Sequence, residues 1–250
     1  MMSLLLSSFI IVALLMLLTW VIYLYTNNPG IIDVVWSISI MTVGLIALSS
    51  TPISIANCII AGLLILWGLR LSLYLLLTRI LPGHIDKRYT ELSRGWKMKR
   101  SLGFLVNYQF QGMLAWIIAC PFWWLRDVQQ LSVWLVLGCC LVIIGIIGEV
   151  VADRQLQRFK RSNKGKVCNV GLWRYSRHPN YFFEWVVWVG FAVSCLSVGW
   201  GIIAFVSPLL LLCLMLFVTG PMTEAQSLKS RGDAFKRYQE HTSMFFPWSL

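Results

Sequence analysis

The feature that most limits what this chain can fold into is a series of unbroken apolar runs, each near 20 residues, separated by short polar stretches. About 20 apolar residues in a helix cross the ~30 Å hydrocarbon core of a bilayer. Only helices and closed barrels satisfy their own backbone hydrogen bonds there, and barrel strands alternate apolar with polar side chains. These runs do not alternate, so the chain reads as all-α, a polytopic membrane bundle. Composition agrees. The chain is 58% hydrophobic and 12% charged, against about 25% charged in soluble domains, so it has too little polar surface to cover a water-facing globule.

Seven spans are expected: 4–25, 31–48, 53–77, 102–125, 131–152, 181–196 and 200–219. The first lacks a basic leader and a small-residue cleavage site, so it reads as a retained span and not a signal peptide. Thr26–Gly30 reads as a tight turn. Polar segments cover 78–101, 153–180 and the tail after 219, and they hold seven, eight and four basic residues respectively. Seven spans put all three on one side, leaving Arg126 opposite and Arg70 inside the membrane. The positive-inside rule makes that side cytoplasmic and the N-terminus external. The expected location is a bacterial inner membrane. Part of the basic charge serves topology and lipid headgroup contact. A nucleic-acid partner is excluded, because the basic residues flank spans and no binding motif is present. The seven cysteines form no C-x-x-C pair and read as small buried hydrophobes. The three histidines lie far apart, so no metal site is expected.

Charges inside a bilayer are costly and mark function or a structural ion pair. Asp33, Arg70, Glu149 and Glu184 are such charges. Helical spacing sorts their neighbours into stripes: Trp67, Arg70 and Tyr74; Asn107 and Gln111; Glu149, Asp153 and Lys160; Asn180 and Glu184. A bundle can bring these stripes together into a polar chamber that opens to a cytosolic mouth. The segment 171–181 supplies that mouth. Arg174, Arg177 and His178 are donors suited to phosphate, and Trp173, Tyr175 and Tyr181 can stack on a ring. Pro179 opens the next helix and Asn180 is placed to cap it. The combination suits a nucleotide. The alternative is a plain aromatic–basic interfacial belt. Neither G-x-G-x-x-G nor a P-loop occurs.

The run Gly171–Trp185, with Arg-His-Pro-Asn-Tyr at its centre, resembles the steroid 5α-reductase family, in particular its bacterial DUF1295 branch. The resemblance extends over nearly the whole chain. It is carried also by Asp33-Val34-Val35-Trp36, Trp67-Gly68-Leu69-Arg70, Asp86-Lys87-Arg88-Tyr89, Gln111-Gly112, Asp153, Asn180 with Glu184, and the ending Tyr238…Phe246-Pro247-Trp248. Arg-His-Pro-Asn-Tyr is shared with sterol C14/C7 reductases and isoprenylcysteine methyltransferases. The resemblance implies one seven-helix domain over 1–250, with 1–125 the half facing a lipophilic substrate and 126–250 the nucleotide half. It implies NADPH as cofactor and reduction of a C=C bond conjugated to a ketone, with a steroid-like enone as substrate. Carried over, Asp153 and Lys160 lie toward the adenine-phosphate end, and Arg70, Arg88, Arg174 and Arg177 face phosphates. Gln111, Asn180 and Glu184 hold the nicotinamide carboxamide and riboses, Glu224 closes the site, and Tyr175 and His178 belong to the cofactor mouth. At the substrate end the family's span-two glutamate and span-three tyrosine become Asp33 and Trp67, with Tyr74 further along the same face. Asp33 is then expected to polarise the ketone, directly or through Tyr74. Its rival roles are a bridge to Arg70 or a cofactor contact.

Two other functions compete: methyl transfer from S-adenosylmethionine, and lipid or steroid binding without catalysis. The methyltransferase pattern has paired glutamates in the last helix, whereas Glu224 stands alone. A transporter is disfavoured by the lack of an inverted repeat. Membrane lipid is the expected surrounding partner, and with no dimerisation motif the expected state is a monomer.

Overall fold

A computed structural model describes residues 2–247, and among them it is all-helical with no strand. Trp248, the last residue of the resemblance, lies outside the described residues. The elements are α1 (Met2–Thr26), α2 (Ile31–Leu48), α3 (Ile55–Leu75, running on as a π turn, Leu76–Ile80), α4 (Lys87–Arg94), α5 (Arg100–Ile118), α6 (Phe122–Leu125), α7 (Val133–Ser162), α8 (Pro179–Ser194), α9 (Val206–Leu214, entered through a 3₁₀ turn and left through a π turn, Met215–Thr219), α10 (Gly220–Arg231) and α11 (Asp233–His241).

Six of these stretches are long and apolar enough to cross a membrane: α1, α2, α3 with its π turn, α5 with α6, α7, and the segment Gly201–Arg231. The expected sixth span is the exception. Helix α8 has 16 residues, about 24 Å at 1.5 Å per residue, less than the ~30 Å hydrocarbon core. The polar segment 153–180 also differs from a loop. Its first ten residues, 153–162, continue α7, because they contain neither Gly nor Pro and are rich in Arg, Gln and Lys, which favour helix.

Local chemistry sets the boundaries. Ser54 and Ser132 cap α3 and α7 by accepting from Asn57 N and Leu135 N, each at 3.1 Å. Asp86 caps α4 by accepting from Arg88 N at 2.9 Å. Pro179 opens α8 as expected. Asn180 does not cap it: the cap position falls on His178, and no side chain bonds there. Asn180 sits in the first turn instead, which leaves its side chain for the interior.

The outward faces are apolar and several inward ones polar, as suits a bilayer. On α1, Leu6, Leu14 and Leu18 are exposed while Ser8, Met16 and Thr19 are buried. Helices α7 and α8 pack closest, through Gly138, Gly145 and Gly148 on one and Gly190 and Ser194 on the other. A Cβ on Gly145 would lie 2.8 Å from both Phe183 O and Val187 N, so only glycine lets the two backbones approach this far. An aromatic core of Trp67, Phe122, Trp188 and Phe191 joins the two halves of the bundle, with the Trp67 and Trp188 rings edge to face at 5.1 Å.

Candidate functional site

The polar stripes meet. A cavity of about 570 Å³ is lined at one end by Asp33, Arg79, Arg88 and Tyr89, and along one side by Asn107, Gln111, Glu149, Asp153, Asn180 and Glu184. Trp36, Leu71, Phe110, Leu114, Leu211, Leu214, Met215 and Val218 form its apolar wall. This volume and this division into a few polar groups on an apolar lining are those of a small-molecule site.

Asp33, in the first turn of α2, anchors the polar end. Tyr89 donates its hydroxyl to Oδ1 at 2.5 Å, and Arg88 Nη2 donates to Oδ2 at 3.2 Å. Arg79, in the π turn after α3, stands 3.5 Å from the same oxygen. Arg88 also donates to Asp86 Oδ2 from Nε at 2.9 Å and from Nη2 at 2.7 Å. Its Nη1 is left without a protein hydrogen bond among the described residues. Burial pulls the Arg88 guanidinium down, but Asp33, Tyr181 and Asp86 outweigh it and hold the group well above its ordinary value. Burial, reinforced by Asp33, pushes the Tyr89 phenol well up. Asp86 is pushed up by burial and pulled further down by Arg88, so it ends below the usual carboxylate range.

The expected bridge between Asp33 and Arg70 does not form. Arg70 is taken by α7 instead: Nη1 lies 2.7 Å from Glu149 Oε1 and Nη2 lies 2.7 Å from Asp153 Oδ2, with the guanidinium 5.7 Å over the Tyr74 ring. Trp67, expected at the reacting end, is fully buried and does not line the cavity. It stands behind Glu184. The Trp67 indole donates to Oε2 at 2.9 Å and the Trp188 indole to Oε1 at 2.8 Å, so both carboxylate oxygens are held. Gln111 Nε2 donates to Asn107 Oδ1 at 2.7 Å, one helical turn away.

Of the residues expected to form the site, the cavity brings together Asp33, Tyr74, Arg88, Gln111, Asp153, Asn180 and Glu184. The mouth segment behaves differently. Arg177 donates to Glu224 at 2.7 and 3.2 Å and to the carbonyls of Gln239 and Thr242 at 3.1 and 2.5 Å. His178 Nε2 lies 3.2 Å from the same Glu224, and Gln239 donates to it at 2.6 Å. Tyr238 donates to Trp173 O, and the Trp173 indole to Ala152 O at 3.0 Å. Arg177, His178 and Glu224 therefore form a clasp that fixes the C-terminal segment beneath α8. None of the three faces the cavity, which corrects their expected place at the cofactor. Tyr175 and Lys160 are exposed and line nothing there, and Arg174 turns to a separate crevice with Lys166, Arg237 and His241.

Arg79 and Tyr89 line the cavity as well, although neither was expected at the site. The signal was present: Asp86 is a helix cap, and the eight residues after it have a strong amphipathic pattern, so α4 was legible and its inward face includes Tyr89.

Among the described residues, two buried acceptors at the cavity have no protein partner, Asn180 Oδ1 and Glu149 Oε2. Buried polar atoms are rarely left so. A ligand offering donors, such as a carboxamide or ribose hydroxyls, fits both, and Arg79 and Arg88 at the same cavity fit an anion.

Fold and site together define an integral membrane bundle with a largely apolar small-molecule cavity that carries a few polar groups. Residues 19–242 match the family described as a protein of unknown function, DUF1295, and the chain belongs to that family. The chain is also similar to a protein-S-isoprenylcysteine O-methyltransferase of Dictyostelium discoideum, 31% identical over 100 residues, covering 35% of this chain and 41% of that protein. The chain thus spans about two fifths of the length of that relative.

Proposed function

We propose that this protein reduces the C=C bond of a lipophilic enone, such as a 4-ene-3-keto steroid, using NADPH, in a seven-span bundle whose cavity opens to the cytoplasm. The observation that carries the reading is Asn180 Oδ1, an unpartnered buried acceptor that lines the same cavity as an amide pair, two arginines and an apolar wall. Asn180, Gln111 and Glu149 are the groups to hold the carboxamide and riboses, and Arg79 and Arg88 to balance phosphate. Glu184 is fixed by two indoles, so it presents its carboxylate in one orientation. The apolar wall orients a flat lipophile and keeps water away. NADPH, when bound, supplies the hydride. The charge sorting along the sequence supports the cytoplasmic orientation, with α8 as a short seventh crossing beside α7.

The test is equilibrium titration of the detergent-solubilised protein with NADPH and with S-adenosylmethionine. The reading expects NADPH to bind far more tightly. It also expects Asn180→Ala to weaken NADPH by about 1–3 kcal/mol, the value of hydrogen bonds in a buried site. Unchanged NADPH affinity in Asn180→Ala moves the cofactor elsewhere. A second reading, methyl transfer, is favoured by the partial similarity to the isoprenylcysteine methyltransferase. Preference for S-adenosylmethionine in the same titration selects it.

A further inference from the structure

We infer that the crevice between α11 and the segment 165–174 binds the headgroup phosphate of an anionic phospholipid. The crevice has a volume of about 950 Å³ and shares no lining residue with the cavity. The site is therefore independent of the chemistry proposed for the cavity.

One wall is α11. Ala234, Arg237, Tyr238 and His241 follow i, i+3, i+4 and i+7, so they share one helical face. The carboxylates of α11, Asp233 and Glu240, fall outside that face, and among the described residues no carboxylate lines the crevice. The other wall turns at Gly165, where φ is +79°, and runs through Lys166 and Asn169 to Arg174. Hydrogen bonds fix both walls. Leu172 N donates to Gln155 Oε1 at 2.9 Å and the Trp173 indole to Ala152 O at 3.0 Å. Arg177 N donates to Ser243 O at 2.9 Å, and Tyr238 donates to Trp173 O. The concavity is thus preformed. Lys166, Arg174 and Arg237 line it, all exposed, and among the described residues none of the three side chains has a hydrogen-bonded or ionic partner. Three like charges on a fixed frame repel one another, and a bound anion relieves that repulsion. The two guanidinium forks match phosphate oxygens, and the Asn169 amide adds a further donor.

Depth selects a lipid over a free phosphate. The bonds to Ala152 and Gln155 put the inner end of the crevice level with the point where α7 passes from apolar to charged sequence. The headgroup layer beyond the hydrocarbon is about 5–8 Å thick, roughly three to five residues of helix. Gln155, three residues past Ala152, lies within it. Val170 lines the same crevice and is 49% exposed, and nearby Tyr175 is 47% exposed. An apolar and an aromatic side chain at this depth suit the junction of headgroup and acyl chain. A free phosphate would use the cations and leave both idle. A cationic lining without a carboxylate also separates anionic from zwitterionic headgroups.

The experiment titrates the full chain in detergent with phosphatidylglycerol and with phosphatidylcholine, and native mass spectrometry counts the bound lipid. Each Lys or Arg near an anionic lipid contributes about fivefold in affinity. Replacing Lys166, Arg174 and Arg237 together by glutamine is therefore expected to weaken phosphatidylglycerol by about 10²-fold and to leave phosphatidylcholine unchanged. Arg161, Lys164 and Lys236 are also exposed but do not line the crevice. Replacing these three by glutamine removes the same charge and is expected to weaken phosphatidylglycerol by less than about threefold, because exposed charges away from the headgroup are screened. All six side chains are exposed, so both variants are expected to melt with the wild type. Equal losses in the two variants reduce the effect to diffuse surface charge and overturn the site. Equal affinity of wild type for the two lipids overturns it as well. Displacement of the lipid by millimolar inorganic phosphate assigns the crevice to a free anion, and displacement by NADPH assigns it to the cofactor; either result overturns the lipid assignment.

Discussion

Replacing Arg70 by methionine tests the buried electrostatics independently of any reaction. Arg70 is 13% exposed, and its partners Glu149 and Asp153 are 5% and 8% exposed, each paired at 2.7 Å. Methionine fills similar space and keeps the packing against Tyr74. The guanidinium is lost, and two carboxyl groups are left without it in a low-dielectric interior. Removing one partner of a buried pair costs about 3–5 kcal/mol. At roughly 2–4 °C per kcal/mol for a chain of this size, Tm is expected to fall by about 6–20 °C. Tryptophan fluorescence during heating in detergent reads the shift. Adding Glu149→Gln and Asp153→Asn to Arg70→Met removes the stranded charges and is expected to recover most of the loss. A Tm for Arg70→Met within about 2 °C of wild type, under 1 kcal/mol, refutes the reasoning.

Three further outcomes follow from other parts of the fold. Gly145→Ala puts a Cβ 2.8 Å from backbone atoms of α8 and is expected to cost about 1–3 kcal/mol as overpacking; Gly62→Ala, where a Cβ meets nothing within 4 Å, serves as the silent control in the same melt. Glu224→Ala strands Arg177 and His178, and limited proteolysis is expected to cut within 232–247 before it cuts the remaining helices; equal resistance to wild type contradicts the clasp. Reporters fused at the C-terminus and inserted near Asp127 are expected on opposite sides of the membrane, and the same side for both excludes seven crossings.

Much of the fold was legible because apolar length is a strong signal. The second span, read as 31–48, coincides with α2. The stripes were legible for the same reason: Asn107 with Gln111, and Asn180 with Glu184, each sit one helical turn apart, and both pairs reach the cavity. What spacing does not encode is partner choice between helices. Arg70 had four carboxyl groups to choose from within reach of a bundle, Asp33, Glu149, Asp153 and Glu184, and it took the two on α7. The mouth segment misled because Arg177 and His178 read equally well as phosphate ligands or as partners of a distant carboxylate, and Glu224 lies 46 residues beyond His178. Helix α8 was over-read because its apolar character continues through Cys195–Ser197 while its α-helix stops at Ser194. Tyr89 was passed over because a polar stretch between two spans was read as loop, although Asp86 marks the start of a helix there.

The central claim is that the cavity reduces an enone with NADPH. Purified protein is mixed with NADPH and progesterone, reduced-nicotinamide absorbance is followed, and the steroid product is identified by mass. NADPH is expected to be consumed only when the enone is present, with one product molecule, heavier by two hydrogens, formed for each NADPH. NADPH left unconsumed with progesterone and other enones, together with a methylated product when S-adenosylmethionine and a lipophilic thiol or carboxylate are supplied, contradicts it.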